Sequence, residues 1–375
     1  MLPYVLLLII PFIFSFVSLK RVGENGRIGV SIVIGRDEYT KNHNLSILLF
    51  FVLFFLLLAL RHPTLGRDLV RYEYYFDEFR SLPFTANLKF ESEIVYQLLN
   101  WIIGNITDNF QIFLVVVAAL CVIPIAYVNT QDREHSYLAV ILFVNMSTFI
   151  MAFSGLRQML AVSIGMIAYE FVKKKKLLPY LLMCVLAMGF HHASFILFIL
   201  YPVYYMRLTR KKLKYAIPIF AVVYAFNGRI FGLLAQLVSF AMNGKNEVEV
   251  ENNGAISFLL LLLAMSVVSY MFTDDDNMDM ETMGLRNILV VSTFLQSFAS
   301  VHLLAMRVNY FFIILIPYAM VKIIKNIEQK AKKEAFVIEL TMVVFLTAYY
   351  LYTTYISCKT GISALDTYPY RAFWS

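Results

Sequence analysis

Leu45-Ser-Ile-Leu-Leu-Phe-Phe-Val-Leu-Phe-Phe-Leu-Leu-Leu-Ala-Leu60, followed at once by Arg61, decides the fold. The run holds one polar side chain, Ser46, and no charge. A span needs about 20 mostly apolar residues, fewer where protein or a polar cavity takes over from lipid. Similar runs recur along all 375 residues, of which 60% are hydrophobic and 15% charged. An ordinary soluble domain carries roughly 25% charged residues. With a mean hydropathy of +0.70 and 16% aromatics, the chain cannot cover a water-facing surface, so lipid is its solvent. The net charge of +7 is no nucleic-acid signature, because the basic residues cluster beside apolar spans and set orientation. Cys121, Cys184 and Cys358 lie far apart and show no disulfide or zinc spacing. Met1 to Leu19 lacks a basic leader and a small-residue cleavage site, so it reads as a retained span.

Outward from Leu45 to Leu60, about twelve spans are expected. The others are Leu2 to Leu19, Phe110 to Val128, Tyr137 to Phe153, Leu156 to Val172, Leu177 to Phe190, Ala193 to Met206 and Leu213 to Phe226. Ala255 to Phe272, Asn287 to Leu304, Val308 to Ile324 and Ala335 to Tyr352 complete the set. Glu91 to Ile103 and Arg229 to Met242 look amphipathic and suit the interface. No linker or repeat divides the chain. The fold class is therefore all-α, polytopic, with residues 1–375 as one transmembrane domain and no large soluble domain. Four loops are basic: Lys20 to Lys41, Lys173 to Lys176, Arg207 to Lys214 and Lys322 to Lys333. With the N-terminus outside, all four fall on one side, which the positive-inside rule makes cytoplasmic. Extracytoplasmic segments are then expected near residues 61–109 and 227–254.

The outer face receives Arg61, Arg67, Asp68, Arg71, Glu93, Arg157, His191, His192, Arg307 and a tail with Asp366, Tyr368, Tyr370 and Arg371. Ionisable groups at membrane depth are expensive and point to function by default. Each also has a bland explanation. Arg61 ends a helix and can snorkel. Glu93 can serve as a helix N-terminal acid, with Ser92 as cap. A lone histidine usually has a satisfied ring. Arg157 resists such an explanation, because Ser154-Gly-Leu-Arg157-Gln158 leaves almost no loop between two spans. Arg307, after Leu303-Leu-Ala-Met306, is similar. Guanidinium groups bind phosphate bidentately and stay charged when buried. Several of them at an outer membrane rim suit a lipid-linked diphosphate. They stabilise the charge that develops as it leaves, and need no metal to do so. A carboxylate or imidazole nearby takes the proton of an attacking hydroxyl. The constellation reads as glycosyl transfer from a lipid carrier.

Arg61-His-Pro-Thr-Leu-Gly66-Arg-Asp68-Leu-Val-Arg-Tyr72 resembles the Arg…Gly-x-Asp…Tyr signature of the EpsG family, related to Wzy-type polysaccharide polymerases. The resemblance continues through Glu93-Ile-Val-Tyr96-Gln-Leu-Leu-Asn100, Ser154-Gly-Leu-Arg157-Gln158, Phe190-His-His192-Ala-Ser194 and Arg307-Val-Asn-Tyr310 with Pro317. Leu69 stands where the family usually has an aromatic. The family shows one histidine where this chain has two. His192 is favoured because Ser194 then falls at the expected offset. The resemblance implies a bacterial inner-membrane polymerase of GT-C type, with its active site outside the cytoplasm. It would join undecaprenyl-diphosphate-linked oligosaccharide units for an O-antigen, capsule or exopolysaccharide. By similarity, Arg157, Arg61 and Arg307 would bind the diphosphate. Glu93, Asp68 or His192 would orient or deprotonate the acceptor, and Gln158, Tyr72 and Tyr310 would support them. No cofactor, metal or nucleic acid is expected. The lipid bilayer, a chain-length regulator and a flippase are candidate partners.

Two features are set aside. Asp274-Asp-Asp276 resembles a metal-binding motif but falls on the cytoplasmic side and reads as a solvated loop. Gly284-Leu-Arg286 echoes Gly155-Leu-Arg157 on the opposite face, as a coincidence. The rival functions are a transporter or flippase of lipid-linked sugars, a ligase with the same donor, and an acyltransferase using the histidine pair. A flippase wants charges along a path across the membrane, whereas these gather at one rim.

Overall fold

The computed structural model describes residues 1–22, 27–32, 45–83, 93–132, 134–233, 255–301 and 303–375. Ser92, Arg36, Lys41 and residues 234–254 therefore lie outside the described residues.

The apolar run that opened the reading forms α2 (Ser46–Ala59), preceded by α1 (Leu2–Phe14). A two-stranded antiparallel hairpin, β1 (Val17–Val22) with β2 (Arg27–Ile32), lies between them, and Val17 faces Ile32. The first span thus ends five residues sooner than expected, where Val17-Ser-Leu-Lys-Arg-Val22 switches to β-favouring alternation. Among the described residues, this hairpin is the one departure from helix besides loops and an isolated bridge.

The helices continue as α3 (Leu69–Ser81), α4 (Ile94–Gly104), α5 (Phe110–Asn129), α6 (Ser136–Asn145), α7 (Ser147–Ser154), α8 (Leu156–Lys173) and α9 (Leu177–Phe190). A 3-10 helix (His192–Ile199) leads to α10 (Leu200–Tyr205), α11 (Arg210–Ala225), α12 (Asn227–Leu233) and α13 (Ala255–Met271). Then come α14 (Met280–Ala299), α15 (Leu303–Ile313), α16 (Ile316–Lys330) and α17 (Lys332–Thr360). By length and composition, α5 and α17 can each cross a membrane alone, and up to five spans result if each bent pair counts as one. Several shorter apolar helices accompany them.

The bent pairs are what sequence reading missed. Tyr137 to Phe153 is not one rod: α6 and α7 meet at 60°. Met146 between them is extended, and the Asn145 amide donates back to the Ile141 carbonyl at 2.7 Å. α15 and α16 meet at 45° just before Pro317, and α11 and α12 at 77°. Such breaks at membrane depth occur where protein or a polar cavity receives the freed backbone groups.

The chain forms two compact units, residues 1–195 with 332–375, and residues 196–331. In the first, Phe50 and Phe54 of α2 each meet Phe143 of α6 at 5.4 Å, and Phe54 meets Phe149 of α7 at 5.3 Å. Such ring pairs add about 0.5–1.5 kcal/mol each beyond their area. The Ser163 hydroxyl donates to the Cys121 carbonyl at 2.7 Å, tying α8 to α5. The column of rings ends at Arg61 and Asp68, which places the candidate site at one end of this unit.

In the second unit, α14 buries Arg286, Asn287, Ser292 and Gln296 completely. Asn309 of α15 donates to the Ser292 carbonyl and to Gln296 Oε1. Arg286 donates to Thr273, to the Leu208 carbonyl and to Asp275 Oδ1 at 2.6 Å, with its guanidinium 4.1 Å from the Tyr270 ring. Asp275 also accepts from the Arg210 N–H at 2.7 Å. Burial acts to raise the Asp275 carboxyl, but these hydrogen bonds outweigh it and hold it below the usual range. Asp274 pairs with Lys330. The triple aspartate is therefore not the solvated loop expected: two of its carboxylates are engaged by cations.

Candidate functional site

Glu93 is the N-cap of α4, yet its side chain does not cap the helix. The carboxylate is instead divided between two partners. Oε2 accepts from Arg157 Nη1, and Oε1 lies 3.0 Å from His191 Nδ1. Three elements supply these groups. α4 brings the acid, the first turn of α8 brings the arginine, and the C-terminal end of α9 brings the histidine. Gly155 breaks the helix at the α7–α8 junction and lets α8 start one residue before Arg157.

The Glu93 side chain is 8% exposed, that of His191 17% and that of Arg157 31%. The acid sits deepest, and the guanidinium opens toward solvent. Burial tends to raise the Glu93 carboxyl, but the hydrogen bond from His191 and the Arg157 charge outweigh it, so it is held below the usual carboxylate value. Against an ionised Glu93, His191 Nδ1–H is the donor and Oε1 the acceptor; in a neutral ring the lone pair is then on Nε2. His191 Nε2 is buried and has no hydrogen-bond partner, and the same is true of Arg157 Nε.

Two tyrosines flank the arginine. Its guanidinium lies 5.7 Å from the Tyr72 ring and 5.9 Å from the Tyr96 ring, within cation–π range. The Arg157 charge also acts on the Tyr72 hydroxyl. Tyr96 is part of the Glu93–Asn100 motif but not of the expected site; its hydroxyl is buried.

The serine offset favours His192, but the ring beside Glu93 is that of His191. His191, the C-cap of α9, is extended (φ −159°, ψ 123°), and its ring meets Glu93. His192 begins the 3-10 helix and is exposed, and no hydrogen bond joins its ring to Glu93. The Ser194 N–H donates to the His191 carbonyl at 3.1 Å, so the serine offset marks the turn rather than the ring.

Arg61 is 1% exposed, so it does not snorkel to the interface. The chain's tail returns across it. Arg61 pairs with Ala372 in an antiparallel bridge, His62 N–H donates to the Arg371 carbonyl, and Phe373 N–H donates to the Leu60 carbonyl, both at 2.9 Å. The guanidinium sits 5.9 Å from the Phe153 ring, and burial pulls it down to about 10. Its Nε lacks a partner.

Asp68 lies beside the Arg157 segment: its N–H donates to Ser154 Oγ, and that hydroxyl donates to Asp68 Oδ2, both at 3.1 Å. Gln158 is buried next to Arg157 in sequence. Arg307, exposed, and Tyr310, buried, belong to the second unit. The first unit thus brings together Asp68, Tyr72, Glu93, Arg157 and His191.

The apolar helices and this buried-to-open array of arginine, carboxylate and imidazole define a helical membrane protein with a site suited to an anionic leaving group and a proton acceptor. The chain belongs to the EpsG family, which it matches over residues 44–372, most of its length. This is a Wzy-like polysaccharide polymerase family, so the chain is a glycosyltransferase-like polymerase of polysaccharide biosynthesis. No curated protein and no solved structure gives a match.

Proposed function

We propose that this protein polymerises lipid-linked oligosaccharide repeat units, with Arg157, Glu93 and His191 as its reaction centre. The donor is a repeat unit on undecaprenyl diphosphate, and the acceptor is a sugar hydroxyl of a second lipid-linked unit. The hydroxyl oxygen attacks the anomeric carbon of the donor. The bond from that carbon to the diphosphate oxygen breaks, and undecaprenyl diphosphate leaves. The hydroxyl proton passes to His191 Nε2, whose partner atom Nδ1 is fixed by Glu93. Arg157 offers its open edge to the diphosphate, where charge grows as the bond breaks.

The observation that carries this reading is the division of Glu93 between Arg157 and His191. Both carboxylate oxygens are engaged, which makes Glu93 a poor proton acceptor and a good orienter. Residues 61–68, 93, 154–157 and the tail gather at one end of the first unit. Lys173 bonds Gln131, and His135 pairs with Glu339, at the opposite ends of the helices concerned. This supports an extracytoplasmic site in an inner-membrane protein of about twelve spans and GT-C type, with lysines inside.

The test supplies the purified protein with lipid-linked oligosaccharide extracted from source cells that lack this chain. Products are resolved on a gel, without nucleotide sugar or added metal. A ladder of chain lengths is expected. Transbilayer movement of the lipid with no new glycosidic bond would contradict polymerisation and favour a flippase.

A further inference from the structure

The Gly66-Arg-Asp68 and Ser154-Gly-Leu-Arg157 segments are about ninety residues apart, yet they fold against each other. Asp68 is the N-cap of α3, but its side chain makes no cap hydrogen bond. The carboxylate turns instead to Ser154, the last residue of α7, which is fully buried. The exchange runs both ways, from Asp68 N–H to Ser154 Oγ and from the Ser154 hydroxyl to Asp68 Oδ2.

Gly66 explains why the two segments can come so close. It has φ +127°, a region open to glycine, and a Cβ there would lie 2.1 Å from the Phe153 carbonyl oxygen. The backbone of the loop is therefore pressed on the last turn of α7. One turn into α3, Tyr72 meets the Arg157 guanidinium. A single short loop and the helix it starts thus hold the α7–α8 break at Phe153 and Ser154, and the arginine at 157.

We infer that Asp68 and Ser154 form a latch that positions Arg157, and that Asp68 is a positioning residue rather than the proton acceptor. The inference rests on the polymerase reading for its consequences in activity, and on the hydrogen-bond pair for its consequences in stability. An asparagine at 68 keeps an oxygen to accept the Ser154 hydroxyl and keeps the backbone N–H. A base cannot survive that change, whereas a latch can.

The experiment measures the ladder reaction and thermal unfolding in detergent for Asp68→Asn, Asp68→Ala, Ser154→Ala and the double alanine variant. Asp68→Asn is expected within about 3-fold of wild-type kcat, with an unchanged pH–rate profile. Asp68→Ala and Ser154→Ala should each lose about 10- to 100-fold, the scale of a misplaced catalytic group. The double variant should be no worse than the poorer single one, in rate and in melting temperature, because both remove one interaction. Asp68→Asn as inactive as Asp68→Ala, or with its acid limb gone, would overturn the latch while leaving the polymerase reading intact. A wild type that makes no ladder would sink the polymerase reading. The latch then stands or falls on the melting temperatures: additive losses in the double alanine variant overturn it, and non-additive losses uphold it.

Discussion

His191 and His192 are adjacent, but only the His191 ring is hydrogen-bonded to Glu93. His191 and His192 are chemically identical, and no spacing argument separates them. The choice is made by the backbone at the end of α9, where His191 is extended and its ring meets Glu93. His191→Ala should lower kcat by about 10²- to 10⁴-fold, the range for loss of a general base. His192→Ala should change it by less than about 3-fold, because its ring makes no bond to Glu93. Reversed sensitivities in the ladder assay would reject the geometric assignment. The partial burial of Arg157 was legible, since a charge between two spans with no loop has few places to go, whereas Glu93 also read as a helix N-terminal acid. The burial of Arg61 was not legible: the segment that pairs beside it is residues 371–373, some 310 positions away, and no local pattern announces that pairing.

At the scale of elements, the apolar runs were legible and their interruptions were not. Hydropathy averages over a window, so Tyr137 to Phe153 reads as one span although α6 and α7 meet at 60°. That break gives α7 its own direction and delivers Ser154 and Arg157 to the site. The tail is the second element that hydropathy leaves undefined. The Tyr4 hydroxyl donates to the Thr367 carbonyl, and the Tyr370 hydroxyl to the Leu57 carbonyl at 3.1 Å. Arg67 meets Asp366 at 3.5 Å, but both are largely exposed, so this pair adds little. Backbone pairing carries the strap. Tyr370→Phe should cost about 1 kcal/mol, and Phe373→Pro, which removes the N–H donated to Leu60, about 1–3 kcal/mol. Thermal unfolding in detergent measures both, and unchanged melts would mean that the tail does not hold the loop at Arg61.

At the scale of the molecule, the sidedness seen in the sequence becomes a distance. Arg157 and Lys173 stand at the two ends of α8, sixteen residues apart, or roughly 24 Å at 1.5 Å per residue. That is close to the thickness of a bilayer's hydrocarbon core, about 30 Å. One helix therefore carries Arg157 at one end and Lys173 at the other. The arginine end is the one proposed to perform glycosyl transfer. The most direct test is single-turnover release of undecaprenyl diphosphate from a lipid-linked repeat unit by wild type and by Arg157→Ala. Removing one group that stabilises a transition-state charge costs about 10²- to 10³-fold. A loss of that size is predicted for Arg157→Ala, in protein that melts within a few degrees of wild type. Undiminished release by Arg157→Ala would contradict the account.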